Sequence, residues 1–239
     1  MFRFKQFTIR QDRAAMKVCT DACILGAYAD VATDSPARIL DIGTGTGLLA
    51  LMAAQRNVGA IVDAIEVDQD ASEQAMENVA ASILGERPAA DRVRIIQGRV
   101  QDFSPTSPYD RILTNPPFYT NHLRSPSAAV NRALHTSELP FRELVEAVGR
   151  LLHLDGQWWV LLPPYETEAL VALAATVGLM PFQQLCVRHN DRKPVFRTIT
   201  GFARTNQSPG THTLTIYESA DNTYTPAFRA LLRDFYLIF

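Results

Sequence analysis

Residues 37–51 read ARILDIGTGTGLLAL, and this stretch decides the fold. The run Arg38–Ile42 has the composition of a buried strand, and it leads into three glycines at alternate positions. Good helix formers follow from Leu48 onward. Strand, glycine turn and helix in this order are typical of the first unit of a parallel α/β sheet. The glycines let the backbone turn tightly and approach a ligand without a Cβ in the way.

The spacing of the glycines distinguishes two kinds of nucleotide site. Dinucleotide folds use G-x-G-x-x-G to hold a pyrophosphate, whereas this loop reads G-x-G-x-G with Asp41 two residues before its first glycine. A carboxylate there would repel a pyrophosphate and attract a cationic amine or sulfonium. A second apolar strand contains Glu66, which could accept hydrogen bonds from a ribose diol. These features predict a site for S-adenosylmethionine (SAM), formed by Asp41, Gly43, Gly45, Gly47 and Glu66; a turn that only joins a strand to a helix is the alternative.

The composition is that of a globular protein of ordinary charge. Its 239 residues are 47% hydrophobic and 20% charged, and the net charge of −2 does not by itself indicate nucleic-acid binding, although a local basic face is compatible with it. No apolar run is long enough to span a membrane, and the N-terminal residues lack a signal-peptide pattern. The three cysteines form neither a disulfide framework nor a zinc spacing. We therefore expect a cytoplasmic protein without a metal or a membrane partner.

Strand and helix patterns alternate from the glycine loop to about residue 204. They predict a Rossmann-like α/β fold with a seven-stranded, mostly parallel sheet and helices on both faces. The strands are predicted at 38–42, 60–66, 92–97, 109–114, 156–162, 182–188 and 195–204, the last two antiparallel.

We interpret residues 1–239 as a single domain with two short extensions. The N-terminal extension, 1–35, is predicted to hold a hairpin and then a helix capped by Thr20 or Asp21. Residues 36–204 form the core, in which one helix is predicted over 70–84. The C-terminal extension, 205–239, is predicted to hold a strand at 214–217 and a helix at 226–236.

The motif Asn115-Pro116-Pro117-Phe118 follows the fourth predicted strand. Its prolines cannot donate to a sheet ladder, so they stiffen the loop and leave carbonyl oxygens free to accept. Asn115 adds an amide oxygen and Phe118 an aromatic ring, which together suit a planar group that carries an NH₂. A rigid turn with a buried Phe is the alternative interpretation, and the SAM-type loop upstream favours the catalytic one.

These four residues could activate the amino nitrogen of an adenine, whose lone pair is delocalised into the ring. If the Asn115 oxygen and the Pro116 carbonyl each accept one N–H, the nitrogen is drawn toward tetrahedral geometry and its lone pair toward the methyl donor. Stacking on Phe118 would fix the base, with about 1–3 kcal/mol. No metal or strong base is needed, because the cofactor is the electrophile and the protein supplies positioning and fixed dipoles.

Asp-x-Gly-x-Gly-x-Gly followed by Asn-Pro-Pro-Phe resembles the class I, SAM-dependent methyltransferases of adenine N6 or glutamine amides. The stretch from Phe7 to Asp21 and the ending YTPAFRALLRDFYLIF (224–239) are similar to those of the bacterial tRNA(Val) adenine-N6 methyltransferases. The resemblance covers essentially the whole chain. It implies a class I methyltransferase fold, and methyl transfer from SAM to N6 of adenosine 37, beside the anticodon of a valine tRNA, with S-adenosylhomocysteine as the second product.

The resemblance also implies cofactor contacts by position. Asp41 and the glycines would line the methionine end of SAM, and Glu66 would hold its ribose. Lys17, Thr20 and Asp21 would form a lid, although Thr20 is equally suited to be an ordinary helix cap.

The contact to the cofactor's adenine departs from the family pattern. Relatives often have Asp two residues after a position like Gln97, where this chain has Arg99. We take Asp102, with Phe103 or the Val100 backbone, as the substitute.

A tRNA partner requires cations for its phosphates. A loop base is already partly unstacked, so extruding it costs less than flipping it from a duplex. The segment 119–136 is long, polar and adjacent to Asn115, and 188–193 is a second basic segment, for which a solvated hairpin tip is the alternative. The candidate phosphate contacts are Arg124, Arg132, His135, Arg188, Arg192, Lys193 and Arg197. We expect a monomer or a weak dimer.

Three other functions stay open on the sequence. A methyltransferase of a protein glutamine amide would use the same chemistry, but such relatives carry a helical N-terminal domain that the roughly 35 residues before Arg38 are not expected to hold. A catalytically silent SAM- or RNA-binding subunit commonly loses the glycine loop or the Asn-Pro-Pro motif, and both are present here. An NAD oxidoreductase is disfavoured by the glycine spacing.

Overall fold

The computed structural model describes residues 1–14, 16–32, 37–117, 139–205, 208–221 and 223–239. Within these ranges the chain forms twelve strands and six α-helices. The strands are β1 (Phe2–Arg3), β2 (Thr8–Ile9), β3 (Arg38–Ile42), β4 (Ile61–Glu66), β5 (Ile83–Leu84), β6 (Arg87–Pro88), β7 (Val93–Gln97), β8 (Tyr109–Thr114), β9 (Leu152–Leu162), β10 (Met180–Arg188), β11 (Val195–Ala203) and β12 (Gly210–Thr215). The helices are α1 (Thr20–Tyr28), α2 (Leu48–Arg56), α3 (Gln69–Ala80), α4 (Phe141–Leu151), α5 (Pro164–Ala175) and α6 (Pro226–Leu232).

One large sheet organises the molecule, with strand order β12-β10-β11-β9-β8-β3-β4-β7. Strands β9, β8, β3, β4 and β7 run parallel, so their carboxyl ends meet at one edge, called the carboxyl edge below. Strand β11 runs antiparallel to both β9 and β10. The start of β11 and the ends of β10 and β12 therefore also lie at the carboxyl edge.

The predicted Rossmann-like class is confirmed, but the predicted number of seven strands is wrong. An eighth strand, β12, pairs in parallel with β10, from Gln183 opposite Gly210 to Arg188 opposite Thr215. The sequence places this strand at 214–217, outside the sheet. It lies at Gly210–Thr215 instead, because the outer edge of β10 presents N–H and C=O groups that need partners.

Helices cover both faces of the sheet, as predicted. Helices α1, α2 and α6, with Val79 of α3, share one hydrophobic core, whereas α4 and α5 share the other. The pleat of β9 divides its side chains between them, with Trp158 in the α4–α5 core and Trp159 in the opposite one. The buried sheet thus holds the loops at the carboxyl edge on a rigid frame.

Two local predictions are corrected by the structure. Helix α1 begins at Thr20 with Cys19 in the N-cap position, so neither Thr20 nor Asp21 is its N-cap. The Asp21 carboxylate instead accepts a hydrogen bond from Arg197 Nε at 2.8 Å. Helix α3 ends at Ala80 rather than near residue 84, because the chain then forms the β5–β6 hairpin, in which Gly85 has φ +66°.

The two extensions pack against each other. Lys5 N donates to Phe235 O at 2.8 Å, and the rings of Phe4 and Tyr236 lie 6.1 Å apart. Side chains of both extensions belong to the same hydrophobic core as those of α1 and α2. Within the described residues, no helix is long and apolar enough to cross a membrane, and no group of three or more His, Cys, Asp or Glu side chains is placed to hold a metal.

Candidate functional site

The glycine loop joins β3 to α2 at the carboxyl edge. Gly43, Gly45 and Gly47 have φ of +71°, +56° and +82°, which L side chains rarely adopt. Gly43 N and Thr44 N both donate to Ile65 O, at 2.9 and 3.1 Å, so the loop is anchored to the end of β4. A Cβ at Gly43 or Gly45 would have no neighbour within 4 Å among the described residues, which leave the space beside the loop open.

Asp41 lies in β3, just before the loop, and is fully buried. Thr44 Oγ1 donates to Asp41 Oδ2 at 2.5 Å, whereas the buried Oδ1 has no partner among the described residues. Burial raises the pKa of Asp41 to about 7, the Thr44 hydroxyl and the nearby Ala50 N–H oppose the rise, and the charge of Glu66 adds to it. A cation placed beside Oδ1 would favour the carboxylate form.

Glu66 ends β4 and connects it to the glycine loop. Its Oε2 accepts from Gly45 N at 2.8 Å, and its Oε1 accepts from Asp68 N at 3.0 Å. Burial raises the pKa of Glu66, against the lowering effect of these N–H donors. Each oxygen keeps a second lone pair, so Glu66 can hold the loop and accept from a further hydroxyl group at once.

These features fit a nucleoside that carries a cation and a diol. Among the described residues the space beside Gly43 and Gly45 is open to a close approach, and the buried Asp41 carboxylate provides a partner for the cation. The Glu66 carboxylate, which accepts from Gly45 N, provides acceptors for the diol.

Asn115 lies next to the glycine loop because β3 and β8 are neighbours. Ile42 pairs with Thr114 across the two strands, and Gly43 and Asn115 are the residues that follow them. Because adjacent strands are about 4.8 Å apart, Asn115 begins one strand spacing from the glycine loop. Asn115 is half-buried, and its Oδ1 is shielded from water without a donor from the described residues. Pro116 is buried and Pro117 half-buried, whereas Phe118 lies outside the described residues. An amide acceptor is thus available at the wall of the predicted cofactor site.

The predicted lid residues are placed differently from one another. Lys17 is exposed. Its Nζ donates to the carbonyl of Ala14, at 3.0 Å, and to that of Gln11. These contacts hold together the N-terminal segment, by which we mean Arg10 to Lys17. Thr20 is exposed and hydrogen-bonds Tyr236. Asp21 reaches the carboxyl edge through Arg197, at the start of β11. Of the three, Asp21 is therefore the one held directly to the sheet.

Two helix residues that the sequence analysis missed hold the N-terminal segment. Gln74 Oε1 accepts from Arg13 N and Ala14 N at 3.1 and 3.2 Å, and Asn78 Oδ1 accepts from Arg10 N at 2.8 Å. Both side chains are buried, at 1% exposure. They are four residues apart on the same buried face of α3 as Ala71 and Ala75, and this spacing was the signal available in the sequence.

Of the residues predicted to contact the cofactor's adenine, Phe103 is not brought to the glycine loop. Asp102 is exposed and lies 3.8 Å from Arg99 Nε. The Phe103 ring stacks on Tyr109, at the start of β8, with 6.4 Å between centroids. Phe103 also lines a cavity of about 860 Å³, together with the first residues of β3, β4 and β7. This cavity lies at the amino ends of the parallel strands, opposite to the glycine loop. Val100, buried just after β7, is the nearer residue of this segment to the carboxyl edge.

The predicted RNA contacts fall into two groups. Arg124, Arg132 and His135 lie outside the described residues. The others lie at or beside the β10–β11 turn, at the carboxyl edge: Arg188, Arg192, Lys193 and Arg197. Arg192 and Lys193 are exposed, whereas Arg188 Nε donates to Thr215 Oγ1 at 2.8 Å and Arg197 pairs with Asp21.

Comparisons with known proteins agree with this geometry. A family model described as "Methyltransferase small domain" matches residues 28–166. A protein of Dyadobacter fermentans named tRNA1(Val) (adenine(37)-N6)-methyltransferase is 46% identical, over 100% of this chain and 98% of its own length. In fold, the chain is similar to a structure from Agrobacterium tumefaciens titled a predicted O-methyltransferase, with TM-score 0.69, 18% identity and coverage of 90% and 96%. It is also similar to the glycopeptide N-methyltransferase MtfA, whose structure contains SAM, with TM-score 0.57, 12% identity and coverage of 83% and 100%.

Proposed function

The chain belongs to the tRNA1(Val) (adenine(37)-N6)-methyltransferase family, and we propose that it transfers a methyl group from SAM to N6 of adenosine 37 in a valine tRNA. The single observation that carries the proposal is the acceptor of Asn115, to which no described residue donates. Its shielded Oδ1 lies one strand away from the glycine loop, where an amino group to be methylated has to meet the cofactor.

The cofactor site is formed by residues already in place. Asp41 would bind a cationic part of SAM, the loop glycines would allow its close approach, and Glu66 would accept from the ribose while it holds the loop. Bound SAM supplies an electrophilic methyl group.

The Asn-Pro-Pro segment supplies the acceptors for the target amine. Asn115 Oδ1 and the Pro116 carbonyl would each accept one N–H, which turns the nitrogen lone pair away from the ring. Pro116 and Pro117 fix this geometry because neither φ is free to rotate. Phe118 remains the predicted stacking partner of the target base. In this scheme the residues position and polarise the amine, and no side chain has to remove a proton before transfer.

We propose that the partner of this site is a tRNA, and that the enzyme acts in the cytoplasm as a monomer or weak dimer. The support for RNA is the set of cations at the β10–β11 turn, which shares the carboxyl edge with Asn115. The loops of that edge would face the anticodon loop.

The test is methyl transfer from labelled SAM to bulk tRNA of a cell that lacks this gene. The nucleosides are then separated and identified by mass spectrometry. We expect N6-methyladenosine in one valine tRNA. Methylation of a protein glutamine with none in tRNA would support the amide methyltransferase, and SAM binding without transfer to either would support the silent subunit; each result overturns the proposal.

A further inference from the structure

The β10–β11 turn carries a stacked pair of rings that the proposed reaction does not use. His189 and Phe196 flank the turn, with ring centroids 4.2 Å apart and planes within 3° of parallel. The guanidinium carbon of Arg197 lies 5.4 Å from the Phe196 ring centroid. His189 is exposed, whereas Phe196 is half-buried beneath it. The pair therefore offers solvent an aromatic ring that a second ring supports from behind.

The backbone around this pair is held in place. Tyr217 N donates to His189 O at 2.8 Å, and Ile216 N donates to Arg188 O at 3.1 Å, so the segment after β12 secures the end of β10. On the other strand, Arg197 is fixed by its 2.8 Å ion pair with Asp21. The orientation of the rings is therefore preorganised, which lowers the entropic cost of binding a planar ligand.

The pair lies on the same edge of the sheet as Asn115. Thr198 of β11 is opposite Leu162, the last residue of β9, and β9 is the neighbour of β8. His189 follows β10, and three strand spacings, about 14 Å, separate β10 from β8 across the sheet. Phe196 lies two residues before Thr198, about 7 Å further out along β11. The ring pair is therefore about two or three nucleotides from Asn115 along an extended RNA strand.

The charge around the rings suits a polyanion. Residues 188–197 contain four cations, Arg188, Arg192, Lys193 and Arg197, against one carboxylate, Asp191. The Ser219 hydroxyl hydrogen-bonds to Asp191 and lowers its pKa, so that carboxylate stays charged. Asp21 pairs with Arg197. The three other cations still outnumber Asp191, and Arg192 and Lys193 are exposed.

We propose that His189 and Phe196 form a stacking platform for an unpaired base of the RNA, two or three nucleotides from the one that enters the Asn115 site. The proposal rests on the proposed function, since it takes RNA as the substrate. The base would stack on the exposed face of His189, and Arg192 and Lys193 would contact the flanking phosphates. A cross-strand pair that only stabilised the hairpin would have no such effect on RNA.

A kinetic test compares His189→Ala with His189→Tyr and Arg192→Ala. We expect His189→Ala to raise KM for tRNA on the order of tenfold, while kcat and the Kd of SAM change little, and His189→Tyr to restore KM. Stacking releases no counterions, so His189→Ala should keep the wild-type salt dependence of tRNA affinity. Arg192→Ala should instead reduce the slope of log affinity against log salt concentration by about one. An unchanged KM in His189→Ala would overturn the platform.

A binding test separates this proposal from the proposed function. Anticodon stem-loops are labelled with 2-aminopurine two or three nucleotides from the target adenosine, because stacking quenches this base. We expect the wild type and His189→Tyr to quench it, and His189→Ala to bind with less quenching. Quenching without any methyl transfer to tRNA would refute the proposed function alone, and equal quenching by wild type and His189→Ala would refute the platform alone.

Discussion

The side-chain amide nitrogen of Asn78 donates to Thr46 O and to Arg10 O, each at 2.9 Å. Thr46 belongs to the glycine loop, and Arg10 begins the N-terminal segment that holds the predicted lid residue Lys17. One buried side-chain amide on α3 therefore connects the glycine loop to the N-terminal segment that begins at Arg10.

Asn78→Asp removes both donated hydrogen bonds and keeps the acceptor for Arg10 N. Two carbonyls would then face a carboxylate oxygen, so we expect a loss of about 1–3 kcal/mol in unfolding free energy. We also expect the Kd of SAM to rise roughly tenfold through displacement of the loop. Calorimetric titration of SAM and thermal unfolding measure the two effects.

Gln74→Glu is the matched control for Asn78→Asp. It removes the 3.0 Å hydrogen bond from Gln74 Nε2 to Asp12, so it loosens the N-terminal segment without a contact to Thr46. The affinity for SAM should fall less than in Asn78→Asp at a similar loss of stability. Equal affinities in the two variants would show that the Thr46 contact does not matter.

Gly45→Ala and Gly85→Ala separate the cost of strain from a role in binding. Both glycines have positive φ, +56° and +66°, and at neither would a Cβ come within 4 Å of another residue in the described ranges. Each substitution should cost about 1–2 kcal/mol of stability. Only Gly45→Ala should weaken SAM binding, because Gly45 N bonds Glu66 whereas Gly85 lies in the β5–β6 hairpin. A similar loss of SAM affinity in Gly85→Ala would contradict this assignment.

SAM binding should depend on pH through Asp41, whose pKa is raised to about 7 by burial. A bound cation favours the carboxylate, so binding releases a proton and the affinity falls by about tenfold per pH unit below that pKa. Above it the affinity should level off. Titrations in buffers of different ionisation enthalpy detect the proton, and a profile that stays flat from well below pH 7 would contradict the pairing.

The ligand-free protein should show the opposite trend in stability. The folded state holds the Asp41 proton up to about pH 7, whereas the unfolded chain loses it near the ordinary value of 3.8. The Asp41 contribution to stability therefore falls as the pH rises through this window. Asp41→Asn keeps an acceptor for Thr44 and should remove this part of the pH dependence in thermal unfolding.

Asn115→Ala should strongly reduce methyl transfer and leave SAM binding nearly intact. The substitution removes an acceptor with no donor from the described residues, so the fold loses little. The rate should fall on the order of 10²–10³-fold, as for loss of one positioned polar group. Asn115→Asp keeps an acceptor oxygen and should retain more turnover than Asn115→Ala. Full single-turnover rates in Asn115→Ala would refute the mechanism.

The sequence by itself determined the strands of the parallel core, the glycine loop and the positions of Asp41, Glu66 and Asn115. Strand β8 has the predicted bounds Tyr109–Thr114, and β3 the predicted Arg38–Ile42. These features follow from apolar runs, glycine conformations and proline restrictions, which act between neighbours in the chain. Parallel pairing then places their carboxyl ends at one edge.

Only the tertiary structure decided how distant segments complete this edge. The Asp21–Arg197 pair joins residues 176 positions apart, and Asn78 connects α3 to both Arg10 and Thr46. Phe103 was assigned to the cofactor from its position after β7, yet its ring packs on Tyr109 at the other edge. Strand β12 likewise joined the sheet because the edge of β10 offered it partners. Such contacts depend on which surfaces meet after the core has formed, and no local pattern encodes that meeting.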